Sequence, residues 1–488
     1  MTGFHHSNSL RVDIFAGITL AIVVLPQAIA FATNLAGVPP EYGIYSAIWG
    51  VLLTALLNPS RAFLGGPNST MAAVIGFTLL PLSPPFSDNY IGYMLVLILI
   101  AGLIQILFFL IKPVSRAFDL IPESVTNGVI TGIGCFLIYK SFAAFAGLPV
   151  NTQIYWPFMI AWQTLLSVLE IGNMAAIQIG LITLATGIIV RMIPPLKIAY
   201  ILIALVVGTG YSEFLIARHG LENILIEQVG RVSIPFISPS LPTFDRSSMP
   251  DIISLIPGAI TLAFIGTFQT VTSMRYLDRR RGVFHKVTEG IKTDALVNCV
   301  MPFISALPTC GSYNRMYMLR SLGSKSKVSV VVSVGVLFTF SYFFIDVLKI
   351  IPIPSLAAII MLVGLNMIEW KNFTIHWHSK IELLSFLTSF MTIHIFGLFG
   401  AVIAGSLVTL CHFIWRHSHP LITLEEHTIT VHDILYYGSL PELERHINLV
   451  KQAGFSTVEI NTSEISYIDN EAQRFLDMFV KTGGLIQK

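Results

Sequence analysis

Gly65-Gly66-Pro67-Asn68-Ser69-Thr70-Met71-Ala72-Ala73-Val74 breaks one apolar run and starts another. Two glycines and a proline interrupt the preceding structure, and proline suits the first turn of a helix, where no backbone N–H is needed. Asn68, Ser69 and Thr70 then set side-chain oxygens and amides beside the free donors of a helix start. Such a start carries roughly +0.5 of an elementary charge and attracts anions. At bilayer depth, irregular backbone persists only where it is buried in protein or lines a cavity. The stretch therefore reads as one wall of an anion site.

Ala306-Leu307-Pro308-Thr309-Cys310-Gly311-Ser312-Tyr313-Asn314-Arg315 repeats the logic: Pro and Gly precede small polar residues and a short apolar helix. Pro67 and Pro308 are 308 − 67 = 241 positions apart. Read singly, either stretch could be an ordinary loop between spans. Read as a pair, they are matching interrupted segments in two halves of a membrane protein, the sequence pointer to a transporter's binding site.

Composition supports the membrane setting. Of 488 residues, 54% are hydrophobic and 11% charged, against about 25% charged in soluble domains, and the mean hydropathy is +0.75. The four cysteines (Cys135, Cys299, Cys310, Cys411) show neither metal spacing nor a disulfide framework and read as packing residues. The polar N-terminus has no charged n-region and no small-residue cleavage site, so no cleaved signal is expected. No nucleophile–base pair, metal cluster or phosphate loop is visible, so neither an enzyme nor a bound cofactor is expected. A net charge of +2 gives no reason to expect a nucleic-acid partner.

Apolar runs predict fourteen spans, some shortened as broken helices: 14–33, 42–57, 67–80, 91–111, 124–145, 174–192, 198–211, 252–276, 287–306, 311–322, 328–348, 354–367, 381–396 and 399–415. A weak amphipathic piece, 150–170, is left outside the count. With a cytoplasmic N-terminus, alternate loops carry Arg61, Lys112, Arg116, Arg191, Lys197, Arg275, Arg279–Arg281, Lys286, Arg320, Lys325, Lys327, Lys371 and Lys380. The opposite short loops carry only Lys349. This is a positive-inside pattern, and it predicts an inner (plasma) membrane protein with both termini cytoplasmic. Seven plus seven spans of opposite orientation are inverted repeats. Gln27 and Gln269, 269 − 27 = 242 apart, are long neutral side chains in otherwise apolar spans. Each could be helix–helix glue; their equivalent places beside the broken helices favour lining the site.

Composition turns polar after Trp415, dividing the chain into 1–416 and 417–488. The tail alternates like a strand at 428–432 and 457–461, with amphipathic helices at 440–453 and 470–480. It reads as a small β-α-β-α domain containing a parallel pair, short for an independent fold.

These residues resemble the sulfate permease (SulP) family of anion transporters, which carry a C-terminal STAS domain. The resemblance rests on Asp13–Leu20 with Leu25-Pro26-Gln27-Ala28-Ile29-Ala30-Phe31-Ala32, on Gly37–Tyr45, on Gly65-Gly66-Pro67-Asn68, on Pro122–Val129, on Pro308–Arg315 and on Ser466–Ala472. It implies a seven-plus-seven inverted-repeat fold of core and gate domains, frequent dimers in the lipid bilayer, and elevator-like movement of the core. It also implies a small anion between the third and tenth half-helices. Gln27 and Phe31 would line that site from the first span, and Gln269 from the eighth. Pro67, Asn68, Ser69 and Thr70 would contribute from the third, and Gly311, Ser312, Tyr313 and Asn314 from the tenth. Arg315 would add positive field; the alternative for it is snorkelling to the interface.

Two departures stand out. Many bacterial members have a carboxylate where this chain has Gln269. An amide cannot take up a charge-compensating proton near neutral pH, so exchange or facilitated passage is favoured over symport. Glu289 and Asp294 remain candidates for coupling, although a structural hydrogen bond near the cytoplasmic end is the preferred reading of both. Thr261, Thr267 and Thr270 are weaker cation ligands. In the tail, Asn470 stands where soluble relatives have a phosphorylatable Ser, so no phosphoswitch is expected. The tail ends soon after its second helix and reads as a truncated STAS domain for dimer contact or regulation. The expected function is transport of sulfate, bicarbonate, chloride or a dicarboxylate; the competing class is a membrane-anchored regulatory scaffold with vestigial transport. The paired histidines His376, His378 and His417, His419 read as interfacial.

Overall fold

The computed structural model describes residues 4–60, 63–118, 121–148, 172–194, 196, 199–220, 226–230, 253–279, 287–324, 326–368, 379–418, 422–425, 428–453, 458–481 and 485–487. The amphipathic piece 150–170, most of the polar connection 212–248, and His376, His378 and His419 lie outside them.

The helices, in order, are α1 (Phe4–Ala30, continued by a π turn over Phe31–Ala36), α2 (Pro40–Tyr45), α3 (Val51–Leu57), α4 (Ser69–Leu79), α5 (Asp88–Leu110), α6 (Lys112–Ala117), α7 (Glu123–Lys140), α8 (Phe142–Phe145), α9 (Met174–Met192) and α10 (Tyr200–His219). They continue with α11 (Ile256–Arg279), α12 (Val287–Val300), α13 (Tyr313–Ser321), α14 (Val328–Phe343), α15 (Ile345–Lys349), α16 (Ile353–Met367) and α17 (Lys380–Ser418). Helix is found at every stretch predicted to span. Among the described residues, five helical segments are long and apolar enough to cross a membrane, beginning with Leu10–Ala36, and α4, α14 and α16 are shorter apolar helices. Large apolar side chains such as Phe15, Leu110, Ile189 and Phe396 face outward. A surface this apolar suits a lipid environment.

Helix α17 is not one rod. Ser385 Oγ donates to Gly405 O at 3.0 Å, whereas a straight helix would hold residues twenty apart about 30 Å from each other. The chain folds back within α17, and the two predicted spans 381–396 and 399–415 are its two legs.

The helices gather into two bundles. α5 packs against α11 and α12, α4 packs on α11, and α1 lies along α14. In the second bundle α7 packs between α16 and α17, and α9 between α10 and α16. The bundles meet where α1 and its π turn touch α10 and α16. Close approach of α1 and α2 depends on Gly43, where an added Cβ would fall 2.0 Å from Ala28 O and 2.7 Å from Ala28 C. Overpacking costs typically 1–3 kcal/mol, about the upper end where backbone must move. Gly43→Val is therefore expected to lower the unfolding temperature in detergent by several degrees, measured by intrinsic fluorescence.

Beyond α17 the chain is α/β. β1 (Ile422–Glu425) pairs antiparallel with β2 (Thr428–Val431); β2 runs parallel to β4 (Glu459–Asn461), and β4 parallel to β6 (Leu485–Gln487). β3 (Asp433–Leu435) pairs parallel with β5 (Ile465–Ile468). Helices α18 (Leu440–Gln452) and α19 (Asn470–Lys481) cover a separate core that includes Ile429, Leu443, Ile460 and Leu476. The β2–α18–β4 unit is the expected parallel pair; β1, β3, β5 and β6 are additional. Asp469 caps α19 by accepting the Ala472 N–H at 2.7 Å, and its other oxygen accepts the Tyr437 N–H at 3.0 Å.

Candidate anion-binding site

The lead-ins to α4 and α13 form a short antiparallel ladder in the middle of the first bundle. Pro67 and Thr309 are bridge partners. The Cys310 N–H donates to Gly66 O at 3.4 Å, and the Ser312 N–H to Leu64 O at 3.1 Å. The partners Pro67 and Thr309 are 309 − 67 = 242 apart, the same offset as Gln27 and Gln269. Antiparallel pairing makes the two chains leave the ladder in opposite directions, so the N-termini of α4 and α13 come together. At α4, Asn68 Oδ1 accepts from Thr70 N at 2.9 Å and Met71 N at 3.2 Å. At α13, the Ser312 side chain makes no capping bond, so the first-turn donors of this helix have no side-chain cap from that residue.

Three polar groups hold the ladder in place. Gln269 on α11 is a clamp: Asn68 Nδ2 donates to its Oε1 at 2.6 Å, and its Nε2 donates to Thr70 Oγ1 at 3.0 Å. The Cys310 thiol also reaches Oε1, at 3.4 Å. Asn298 on α12 acts as a substitute strand for Thr309, accepting its N–H at 2.7 Å and donating to its carbonyl at 2.9 Å. Asn298 also donates to Gln105 Oε1 on α5 at 2.8 Å. Thr270 on α11 accepts the Gly311 N–H at 2.7 Å and donates to Asp294 Oδ2.

Arg315, in the first turn of α13, is 6% exposed. Its Nη1 donates to Pro67 O at 2.7 Å, while Nε and Nη2 have no partner. The guanidinium lies against Gly66, where an added Cβ would fall 3.2 Å from Arg315 Cζ, at a φ of +145° that side chains rarely adopt. Burial of unpaired N–H groups is costly, and an oxyanion is the partner whose geometry suits a guanidinium fork. The interface-snorkelling alternative does not hold for this residue.

The other sequence-predicted residues divide. Ser69 and Thr70 are buried at the α4 start, and Phe31 is buried where the π turn opens. Gln27 is half-buried on α1 and Ser312 half-buried at the α13 cap. Pro67 and Gly311 serve in the ladder through backbone. Asn314 is exposed. Tyr313 opens α13, and its side chain lies outside the described residues. Gln269 meets α4 as expected, but with its amide already committed to Asn68 and Thr70. Glu289 sits in the first turn of α12, half-buried, where its backbone carbonyl accepts from Asn58 Nδ2 at 3.3 Å. Asp294 lies beside the second lead-in, where α12 carries it to the Gly311 N–H at 3.3 Å. Sequence reading missed Gln105 and Asn298; the available signal was a polar side chain within each otherwise apolar span.

Residues 10–392 match the sulfate permease family. The chain is 25% identical to YvdB of Bacillus subtilis (strain 168) over 482 residues, covering 95% of this chain and 87% of that one. It is 23% identical to the bicarbonate transporter BicA of a Picosynechococcus species, covering 75% of this chain and 63% of BicA. Among solved structures, murine Solute Carrier 26 family member A9, an anion transporter in the inward-facing state, superposes with a TM-score of 0.81 at 18% identity. That match covers 97% of this chain and 84% of the other. With the fold, the paired half-helices and this match over most of its length, the chain belongs to the sulfate permease family.

Proposed function

We propose that this protein moves a small anion across the membrane by alternating access, with the anion held between the N-termini of α4 and α13 and against Arg315. The observation that carries this reading is a buried guanidinium with two unpaired donors beside two facing helix starts. Asn68, Ser69 and Thr70 form one wall, Gly311, Ser312, Tyr313 and Asn314 the other, with Pro67 between them. Gln27 and Phe31 close the side, and Gln269 holds the first wall in shape. Neutral donors and helix dipoles favour negative charge yet release it readily, since only one full positive charge has to be left behind. Sulfate and bicarbonate both fit these donors.

The two bundles give the movement its parts. The bundle that holds both half-helices slides as a unit against the other along α1, as an elevator. Fourteen crossings, both termini in the cytoplasm, an inner (plasma) membrane location and a homodimer complete the reading. The boundary near residue 417 separates transport from a STAS-like tail with a regulatory or dimer-forming role.

Labelled sulfate, bicarbonate, chloride and dicarboxylate uptake into proteoliposomes tests the proposal. Ser312→Trp fills the space in front of α13 and is expected to reduce uptake to background while the protein stays monodisperse. Retained uptake in that variant would put the site elsewhere. Absence of uptake of all four anions by the wild type would instead favour the regulatory scaffold.

A further inference from the structure

Asp294 is fully buried on α12, and only one of its oxygens is accounted for. Oδ2 accepts from the Thr270 hydroxyl and from the Gly311 N–H at 3.3 Å. Oδ1 has no partner. One turn before Thr270 on α11, the Thr267 hydroxyl is also buried without a partner. An ionised carboxylate oxygen left unpaired away from water is strongly disfavoured, and neutralisation by a proton relieves it. The two donors on Oδ2 select the side: Oδ2 stays an acceptor, and the proton belongs on Oδ1.

We propose that Asp294 binds a proton at Oδ1 together with the transported anion, taking the coupling role that the amide of Gln269 cannot fill. This rests on the transport reading above. Among the described residues, the groups around Asp294 come from neighbouring elements and from α12 itself. α11 presents Thr270, with Thr267 one turn before it and Arg275 more than a turn beyond; the second lead-in presents Cys310, and α13 presents Arg315; the neutral amides Gln105 on α5 and Asn58 after α3 bond to Asn298 and Thr293 on the same helix. On α12 itself, Glu289 and Lys292 lie toward its N-terminal end. Among the described residues, Arg315 stands four positions beyond Gly311, whose N–H Asp294 accepts, and its charge acts on Asp294. With Asp294 ionised, the two charges offset each other and the field at the α13 start is weak. With Oδ1 protonated, the Arg315 charge is uncompensated and the anion is held more tightly. Linkage is reciprocal, so anion binding draws the proton in, and release of the anion on the far side releases it. A metal cation at Oδ1 is less well served, because the Thr270 oxygen is already engaged with Oδ2 and Gly311.

The test uses the full chain in proteoliposomes with labelled sulfate. An inward proton gradient is expected to raise wild-type uptake several-fold, and a sodium gradient at matched pH to leave it unchanged. In Asp294→Asn the proton gradient no longer raises uptake. In detergent, adding sulfate to the wild type is expected to take up protons, read with a pH indicator, and to bind roughly tenfold more tightly at acid pH. Asp294→Asn loses both effects. Gradient-driven uptake that survives in Asp294→Asn, drive by sodium, or robust sulfate–sulfate exchange without proton dependence would each overturn the proposal while leaving the transport reading intact. Absence of any anion flux in the wild type would remove both.

Discussion

Arg315→Gln is expected to reduce saturable sulfate uptake by about a hundredfold or more. Hydrogen bonds to charged groups contribute about 1.5–3 kcal/mol each, and every 1.4 kcal/mol is a factor of ten. The substitution removes the charge and the unpaired Nε and Nη2 donors, together with the 2.7 Å bond to Pro67 O. Arg315→Lys is not a mild alternative here. A lysine presents a point charge rather than a fork, so it can neutralise an anion or reach Pro67 O, but not keep both geometries. Uptake rates at increasing sulfate concentration, with the sulfate-dependent rise in unfolding temperature as a second reading, check the prediction. An Arg315→Gln protein that saturates at the wild-type concentration would refute the role of the guanidinium.

Asn298→Leu is expected to be the most damaging change that touches neither the anion nor a charge. It keeps volume but leaves the N–H and C=O of Thr309 and the Oε1 of Gln105 without their partner. Each unsatisfied buried group costs about 1–3 kcal/mol, so the sum over three groups is on the order of 3–9 kcal/mol, a large fraction of a marginal stability. The ladder between Pro67 and Thr309 would loosen, and with it the alignment of α4 and α13. A strongly lowered unfolding temperature in detergent and loss of sulfate uptake are the expected results. Asn298→Asp separates the causes: it keeps the acceptor for Thr309 N and should hold the ladder better than leucine does. A leucine variant as stable and as active as the wild type would show that the pairing is dispensable.

What could be read along the chain was whatever local chemistry forces. Pro67 followed by the capping residue Asn68, and Pro308 followed closely by Gly311, disfavour a continuous helix, and helices begin at Ser69 and Tyr313. Apolar runs with few charges leave no alternative to helices in lipid, and the parallel β2–β4 pair follows from two alternating stretches around an amphipathic helix. The small strands β1, β3, β5 and β6, as short as β2 and β4, escaped. Gln105 and Asn298 stood in view as polar residues in apolar spans, but nothing local says which partner an amide has, 193 positions apart in this case.

Local composition is enough to make this a helical membrane protein with two interrupted segments about 241 residues apart. Proline, glycine and hydrophobic length act over a few residues and do not depend on the rest of the chain. How those segments are arranged depends on long-range contacts. Pairing of Pro67 with Thr309 aims the two helix starts at each other, burial turns Arg315 from an interfacial cation into an unpaired donor, and α12 carries Asp294 to Gly311. These are contacts between residues far apart in the chain, whose energy depends on what water is excluded and which groups are left without partners, and neither quantity exists until the bundle has closed around them.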